Sequence, residues 1–220
     1  MIQLDGKKIT GVYHGGVKIK EAYFGSQKVF TAYPKLTFED QFNSTTKAAW
    51  WTENTGILFN GSHISCSNNR KATATEYLST SADVVEQDRW RIDIKVYDLP
   101  DPVQESSVVI GTDRDNGYIA SFAPNRMWIG RRKEGKDTIV SSTTTTKLTS
   151  STQITFARTS SGFTLSTSDG VTLSMSDDRQ IQGAGNRRMG IIQSVFRGGT
   201  FNNNYYYSPG INWVTATTTN

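Results

Sequence analysis

The acidic side chains on predicted strands are the first candidates for chemistry, because two carboxylates flanking a sugar bond can hydrolyse it. Residues 90–97 alternate between apolar and polar types, which predicts a strand. Its inner-face residues are Trp90, Ile92, Ile94 and Val96. Its outer face carries Asp93 between Arg91 and Lys95, and a lone carboxylate between two cations is held ionised, so it cannot donate a proton. The strand therefore indicates no catalytic residue.

Metal ligands are equally sparse in the sequence. His14 lies in a predicted turn, and His63 precedes Cys66 by three residues, which places these two side chains on opposite faces of a strand. This spacing provides neither a zinc cluster nor a Cys–His nucleophile pair. The segment from Asp113 to Gly117 has the oxygens of a calcium loop at Asp113 and Asp115 but lacks the bidentate glutamate. A plain turn is favoured there, and no cofactor is expected.

Aromatic residues beside amide and guanidinium groups are the best ligand candidates, because sugar rings stack on aromatic faces while polar groups bind their hydroxyls. Two sequence clusters fit: one around Trp128 and one in the predicted loop 202–207. The candidate ligand-binding residues are Trp128, Arg131, Arg132, Asn203, Asn204, Tyr205, Tyr206 and Tyr207. Trp128 also has the alternation of a core residue, and tyrosine-rich loops also form protein interfaces. Glycan contact and subunit packing both remain open.

The elements that must position these residues are short strands. About a dozen apolar or alternating runs are separated by Gly, Asn, Asp and Ser turn signals, which is typical of a two-sheet β-sandwich. The Ser/Thr run 141–152 is interpreted as a polar edge strand and loop. The single cysteine, Cys66, excludes an internal disulfide and fits assembly in a reducing cytoplasm. No apolar run is long enough to predict membrane insertion.

Residues 4–33 repeat every ten positions. The repeat aligns Tyr13, Tyr23 and Tyr33, then Gly15 with Gly25, then Lys8, Lys18 and Lys28. Glycine turns between strand-forming residues predict a small meander of very short strands. Such a segment is too small to bury a core of its own, so we expect it to pack on the next domain, on copies of itself or on a larger particle.

Charge is unevenly distributed along the chain. The net charge of +4 divides into +3 on residues 1–33 and +1 on residues 34–220. A nucleic-acid-binding protein would need a denser basic face, so no nucleic-acid partner is expected. The lysines of the repeat could face an acidic partner, but protection of exposed strand edges is the favoured interpretation.

The repeated pattern Ile9-x-x-Val12-Tyr13-x-Gly15-x-x-Lys18-Ile19 resembles the amino-terminal segment of minor tail proteins of long-tailed phages that infect actinobacteria. In those proteins the segment precedes a carbohydrate-binding-type β-sandwich. The run 36–42 followed by Trp50 also resembles the opening of concanavalin-like and laminin-G-like jelly rolls, in which the first strand joins the last. The fold expected is therefore all-β, with a β-repeat attachment segment at 1–33 and a concanavalin-like jelly-roll sandwich at 34–220.

The resemblance implies a non-enzymatic virion protein, assembled in the host cytoplasm, that presents the sandwich to host-surface polysaccharide. Its expected partners are other virion proteins and further copies of itself, with a trimer preferred. The residues expected to mediate assembly are Tyr13, Gly15, Lys18, Tyr23, Gly25, Lys28 and Tyr33. One alternative is a capsid or tail decoration protein that stabilises the particle without binding a receptor. A glycan hydrolase is the third possibility, and a calcium ion near Asp113 and Asp115 is the less favoured cofactor alternative.

Deleting residues 1–33 is expected to leave a folded sandwich that no longer enters particles, because the repeat contributes attachment rather than core. The measurement compares the amount of full-length and truncated protein in purified particles, with circular dichroism as the check on folding. Normal incorporation of the folded, truncated protein would contradict the attachment role.

Overall fold

The structure is a computed structural model, and it describes these residues: 3–4, 7–8, 12–14, 17–19, 21–24, 27–31, 34–66, 74–97, 104–144, 148–176, 183–198 and 204–219. The regular elements in these ranges are strands. In chain order they are β1 (Gln3–Leu4), β2 (Lys7–Lys8), β3 (Val12–His14), β4 (Val17–Ile19), β5 (Glu21–Phe24), β6 (Gln27–Thr31), β7 (Lys35–Asp40), β8 (Trp51–Asn54), β9 (Ile57–Phe59), β10 (Ile64–Cys66), β11 (Ala74–Asp83), β12 (Trp90–Val96), β13 (Ser106–Asp113), β14 (Asn116–Ala123), β15 (Arg126–Lys133), β16 (Lys136–Thr143), β17 (Gln153–Arg158), β18 (Gly162–Thr167), β19 (Thr172–Ser176), β20 (Arg188–Gly198), β21 (Asn204–Tyr207) and β22 (Ile211–Thr218).

The repeat segment forms three antiparallel hairpins. β1 pairs with β2, β3 with β4 and β5 with β6, and each pair is a two-stranded sheet of its own. The register places Val12 opposite Ile19 in the second hairpin and Glu21 opposite Thr31 in the third. β7 begins at Lys35, directly after Pro34, and is the first strand of the larger sheets.

Two eight-stranded sheets make up the rest of the fold. The first sheet has the order β19-β18-β17-β12-β22-β10-β9, with β7 also paired to β22. The second has the order β16-β15-β14-β13-β20-β11-β8, with β21 paired to the end of β20. Every pairing is antiparallel, and β7 joins the last strand through the register Phe38 opposite Ala216. The predicted all-β sandwich of the concanavalin-like type is confirmed.

The core lies between the two sheets and follows the period of the strands. In β12 the four predicted inner residues, Trp90, Ile92, Ile94 and Val96, are all buried. Aromatic rings from both sheets meet around Phe163, whose ring centroid lies 4.0 Å from that of Tyr118 and 6.0 Å from that of Trp90. Cys66 is a buried strand residue that forms no disulfide, as its sequence context predicts.

Asp93 differs from its expected environment. It lies on the outer face of β12, yet its residue is only 9% exposed. The carboxylate accepts hydrogen bonds from Arg91 Nε at 2.8 and 2.7 Å and from Thr155 Oγ1 at 2.6 Å, so these two side chains cover it. The arginine is a partner of the carboxylate, as the sequence indicates, and the threonine of the neighbouring strand could not be assigned from β12 alone.

The interpretation of residues 202–207 as a loop is wrong for the described part. Asn204–Tyr207 form β21, which pairs with Val195–Gly198 of β20. Tyrosine is a strong strand former, and pairing with the free edge of β20 satisfies backbone groups that a loop would leave to water. Asn203 lies outside the described residues.

The described residues include no helix that is long and apolar enough to cross a membrane.

Replacing Ile94 with alanine is expected to lower the free energy of unfolding by about 2–5 kcal/mol, since its side chain fills the space between the sheets. Ile139 on β16 is 46% exposed and provides the matched control, because the same substitution there should change stability by less than about 0.5 kcal/mol. Urea denaturation of both variants measures the difference. Equal losses would contradict this placement of the core.

Candidate functional site

The candidate site lies on the outer face of the second sheet. Residues directly opposite each other on paired strands lie on the same face of a sheet. The strand pairings therefore define a row of neighbouring side chains that runs across the sheet from β11 to β15. The row is Tyr77, Ile192, Ser107, Ser121 and Trp128. Their sequence neighbours Leu78, Ile191, Val108, Ala120 and Met127 belong to the core between the sheets, so the row itself points away from that core.

This outer face carries a second apolar cluster. Val109, Ile119, Trp128 and Ile192 are buried there, and Tyr77 packs against them while half-buried. Both faces of β13 and β14 are buried. The sequence signal for this is a run of small and apolar residues at 106–111 and 117–123, since a strand with one solvent-exposed face would alternate with polar residues. Trp128 is 4% exposed, so it faces outward but its ring is covered. Neither alternative considered from the sequence, an inward core residue or an open surface ring, describes it fully.

A cavity of about 520 Å³ opens over this row. Its lining side chains are mostly polar, with Tyr77, Trp128 and Ile192 as the apolar members. The polar lining residues include Thr75, Gln104, Glu105, Ser107, Arg126, Arg132, Asp137 and Ser194. A pocket with few apolar contacts and several hydrogen-bonding groups suits a ligand rich in hydroxyls.

Glu105 organises one side of this cavity. Its Oε2 accepts hydrogen bonds from Trp128 Nε1 at 2.5 Å and from Ser121 Oγ at 2.9 Å. Ser107 Oγ donates to Ser121 Oγ at 2.9 Å, and Arg126 Nη1 lies 3.3 Å from Glu105 Oε1. The carboxylate therefore fixes the indole ring and, through the buried Ser121, positions the hydroxyl of Ser107 that lines the cavity. It was not a candidate in the sequence, because it precedes a strand and belongs to no recognisable motif.

Arg132 organises the other side. Its residue is 8% exposed, and its Nη1 donates to both carboxylate oxygens of Asp137 at 2.8 Å. Its Nε is buried without a hydrogen bond and lies 3.8 Å from Asp115 Oδ1. The guanidinium is thus held by the carboxylate of Asp137 and lies near that of Asp115, while its buried Nε makes no hydrogen bond.

A second cavity of about 400 Å³ lies on the same face, around Arg114. The guanidinium carbon of Arg114 lies 4.4 Å from the ring centroid of Tyr77, and Nη1 forms an ion pair with Glu53. Ser79 Oγ donates to Glu53 Oε2 at 3.0 Å. Gly190 leaves room for the Arg114 side chain, because a Cβ at position 190 would lie only 3.0 Å from Arg114 Cβ. Arg114 of the second cavity is therefore in contact with Tyr77 of the first.

The acidic side chains of the turn from Asp113 to Gly117 are bound by neighbouring groups of the protein. Asp113 Oδ1 accepts from the backbone N–H of Asp115 at 2.8 Å and from Asn116 Nδ2 at 3.0 Å. Asp115 Oδ2 lies 3.4 Å from Arg114 Nε. Among the described residues no group of three or more His, Cys, Asp or Glu side chains has the arrangement of a metal site.

The structure separates the sequence candidates. It brings Trp128 and Arg132 to one cavity, but Arg131 is opposite the core residue Tyr118 and so lies on the inner face of β15. This separation follows from the alternation of a strand, in which adjacent residues cannot share a face. Asn204 and the three tyrosines 205–207 lie in β21, and their side chains are outside the description. Of the proposed assembly residues, four lie in the hairpins, namely Tyr13, Lys18, Tyr23 and Lys28, while Gly15, Gly25 and Tyr33 lie outside the described residues.

No protein-family profile matches the chain, and no curated protein matches it in sequence. Solved structures do share its fold. The exoplasmic/lumenal domain of VIP36 aligns with a TM-score of 0.57 at 11% identity, over 82% of this chain and 90% of that chain. The carbohydrate recognition domain of Emp47p aligns with a TM-score of 0.57 at 12% identity, over 84% and 98%. A structure from work on endo-acting O-glycanases of the human gut microbiota aligns with a TM-score of 0.57 at 8% identity, over 84% and 100%. At these identities the similarity establishes the concanavalin-like lectin fold.

Replacing Glu105 with leucine is expected to lower the free energy of unfolding by about 1–3 kcal/mol, because it leaves the buried Trp128 N–H without an acceptor. Glu105→Gln keeps an acceptor oxygen and should lose less. Arg126→Ala is the control for the ion pair alone, with a change of at most about 1 kcal/mol. Chemical denaturation checks all three, and an equal loss for leucine and glutamine would contradict the role of Glu105 as an acceptor.

Proposed function

We propose that the outer face of the second sheet binds a neutral glycan and that the protein is a phage virion component, a minor tail protein, that presents this face to the host surface. The observation that carries the glycan assignment is the cavity over Tyr77 and Trp128, in which apolar ring surface adjoins hydroxyl, amide and guanidinium groups. A sugar offers the matching surfaces, C–H faces and hydroxyls.

Charge balance in the cavity favours a neutral ligand. Its lining contains two acidic residues, Glu105 and Asp137, and two basic residues, Arg126 and Arg132. Each acidic residue is paired with one of the arginines. An anionic sugar would have to compete with these carboxylates for the guanidinium groups, whereas a neutral sugar can bind without displacing either pair.

The structural neighbours support the same class of ligand. The VIP36 domain has been solved in a form bound to Ca2+ and Man3GlcNAc, and the Emp47p domain is itself a carbohydrate recognition domain. At their low sequence identity only the fold can be inferred for this chain, and the binding residues cannot. The assignment of a glycan ligand therefore depends on the cavity of this chain itself.

The virion assignment depends on the repeat. Residues 1–33 carry the ten-residue pattern that resembles phage minor tail proteins, and the structure forms it into three separate hairpins. A two-stranded hairpin is marginal alone in water, which favours packing on virion partners or on copies of this chain, a trimer being preferred. A decoration protein that stabilises the capsid or tail would use the same attachment, and only the glycan site distinguishes the two functions.

In this proposal the protein binds a glycan without hydrolysing it. Both carboxylates in the cavity have fixed structural partners: Glu105 holds the Trp128 indole and Asp137 holds Arg132. A glycosidase needs two carboxyl groups that are free to flank the sugar bond, whereas each carboxylate of this cavity is engaged by an arginine. Glycan hydrolysis is therefore the disfavoured alternative.

Tyr77→Ala is expected to weaken glycan binding about tenfold, the effect of losing about 1.4 kcal/mol, because it removes an aromatic wall of the cavity. Affinity electrophoresis in gels containing mannan, galactan or dextran measures the binding. Tyr97→Ala is the control, since Tyr97 is 42% exposed and lines neither cavity of the outer face. Retardation by none of the polysaccharides would contradict glycan binding, and reducing-sugar release that is lost in Asp137→Asn would contradict the non-enzymatic assignment.

The same variant separates receptor binding from decoration when it is placed in whole particles. Receptor binding predicts reduced adsorption to host cells with unchanged heat stability of the particles. Decoration predicts normal adsorption for this variant, together with heat-sensitive particles when the protein is absent. Normal adsorption of Tyr77→Ala particles would therefore rule out the receptor function at this face.

A further inference from the structure

A second aromatic site lies where the chain crosses from the first sheet to the second. The connection between β7 and β8 forms a cleft of about 310 Å³ at the edge of the sandwich. The cleft is lined by Glu39, Asp40, Gln41, Phe42, Asn43, Ser44, Thr46, Ala48, Trp50 and Phe59. None of these residues lines the two cavities of the outer face, so the cleft is a separate feature.

The Asp40 carboxylate fixes the cleft by accepting three N–H groups. Oδ1 accepts from the backbone of Phe42 at 2.8 Å, while Oδ2 accepts from the indole of Trp51 at 2.6 Å and that of Trp50 at 3.1 Å. Trp51 is fully buried in the core, so it anchors the carboxylate. One acidic side chain thus fixes two adjacent indole rings, of which that of Trp51 is buried and that of Trp50 is exposed.

Trp50 is the exposed member of this pair. It is 49% exposed, and Phe38 packs against it edge to face with ring centroids 6.1 Å apart. Because its indole N–H already donates to Asp40, the group that remains available to a ligand is the apolar ring face. The exposed ring face is therefore apolar surface in a fixed orientation, and a stacking ligand would remove it from water.

The loop also contains a backbone conformation that must be imposed. Phe42 has φ of +47°, in the left-handed region that residues with a Cβ rarely adopt, and its side chain is buried and stacked on Trp51 with ring centroids 6.1 Å apart. The hydrogen bond from its N–H to Asp40 holds this conformation. Such strain concentrates at ligand-binding loops, where it preorganises the site.

We propose that this cleft is a second carbohydrate-contact site, in which the ring of a neutral sugar stacks on Trp50 and its hydroxyls meet Asn43, Ser44 and Thr46. The volume fits one or two sugar rings. Glu39 and Asp40 make the lining acidic, and none of its lining residues is a lysine or arginine, so uronic and sulfated sugars are disfavoured. With the cavity on the outer face, one chain would make two separate contacts with the same surface polysaccharide, and avidity would multiply two weak affinities.

The test uses the indole N–H signals of the intact protein in a proton–nitrogen correlation spectrum, because Trp50 reports the cleft and Trp128 reports the outer face. Trp50→Phe and Trp128→Phe assign the two signals. Methyl mannoside, methyl galactoside, methyl glucoside and glucuronate are titrated to about 50 mM, since a few stacking and hydrogen-bond contacts give millimolar binding. At least one neutral sugar should shift the Trp50 signal saturably, and glucuronate should not.

The outcomes separate this inference from the proposed function. A shift at Trp128 without one at Trp50 overturns the cleft site and leaves the outer face intact, and the reverse overturns the outer face alone. No shift at either position overturns both. In polysaccharide gels Trp50→Ala should lose retardation while Trp50→Phe keeps most of it, because phenylalanine preserves a ring for stacking. Equal losses in both variants would overturn stacking on Trp50 as the mode of binding.

Discussion

Burial on both faces of the second sheet is the constraint on which the candidate site depends. The inner face is covered by the opposite sheet, whereas the strands that the structure describes form no third layer over Val109, Ile119, Trp128 and Ile192 on the outer face. The side chains that take this role are charged ones laid flat on the sheet, such as Arg114 across Tyr77. Their aliphatic stems cover apolar surface while carboxylates satisfy their head groups. The same arrangement produces a polar cavity with an aromatic floor.

This arrangement is the physical basis of the proposed preference for hydroxyl groups over ions. The charged groups of the cavity are already paired, as Arg132 is with Asp137 and Arg126 with Glu105. Their fields therefore largely cancel at a distance, while individual N–H and oxygen atoms keep directional hydrogen-bonding capacity. A ligand that depends on geometry rather than on net charge gains most from such a surface.

The sequence was sufficient to predict which residues are buried where a single strand determines their environment. The alternation of residues 90–97 correctly assigned four core side chains, because the period of a strand is local information. It was insufficient where the environment depends on the neighbouring strand. Alternation put Trp128 on one face of β15 without saying which, and it could not supply Glu105 from outside the strand as the partner of the indole.

The same limit applies to the other candidates. Arg131 and Arg132 are adjacent in sequence and were grouped together, but the pleat sends them to opposite faces. Residues 204–207 were interpreted as a loop, because nothing local indicates that β20 extends far enough to offer them an edge. Asp40 shows this limit most clearly, because its three donors come from a turn and from two indoles ten and eleven residues away.

The position of β22 has a consequence for the biosynthesis of the protein. This strand lies inside the first sheet, between β12 on one side and β7 and β10 on the other, yet the ribosome makes it after every other strand of both sheets. Until it emerges, β7, the β9–β10 pair and β12 have no common neighbour, and the first sheet is split into three parts. The nascent chain therefore exposes its amino-terminal repeat before the sandwich can close.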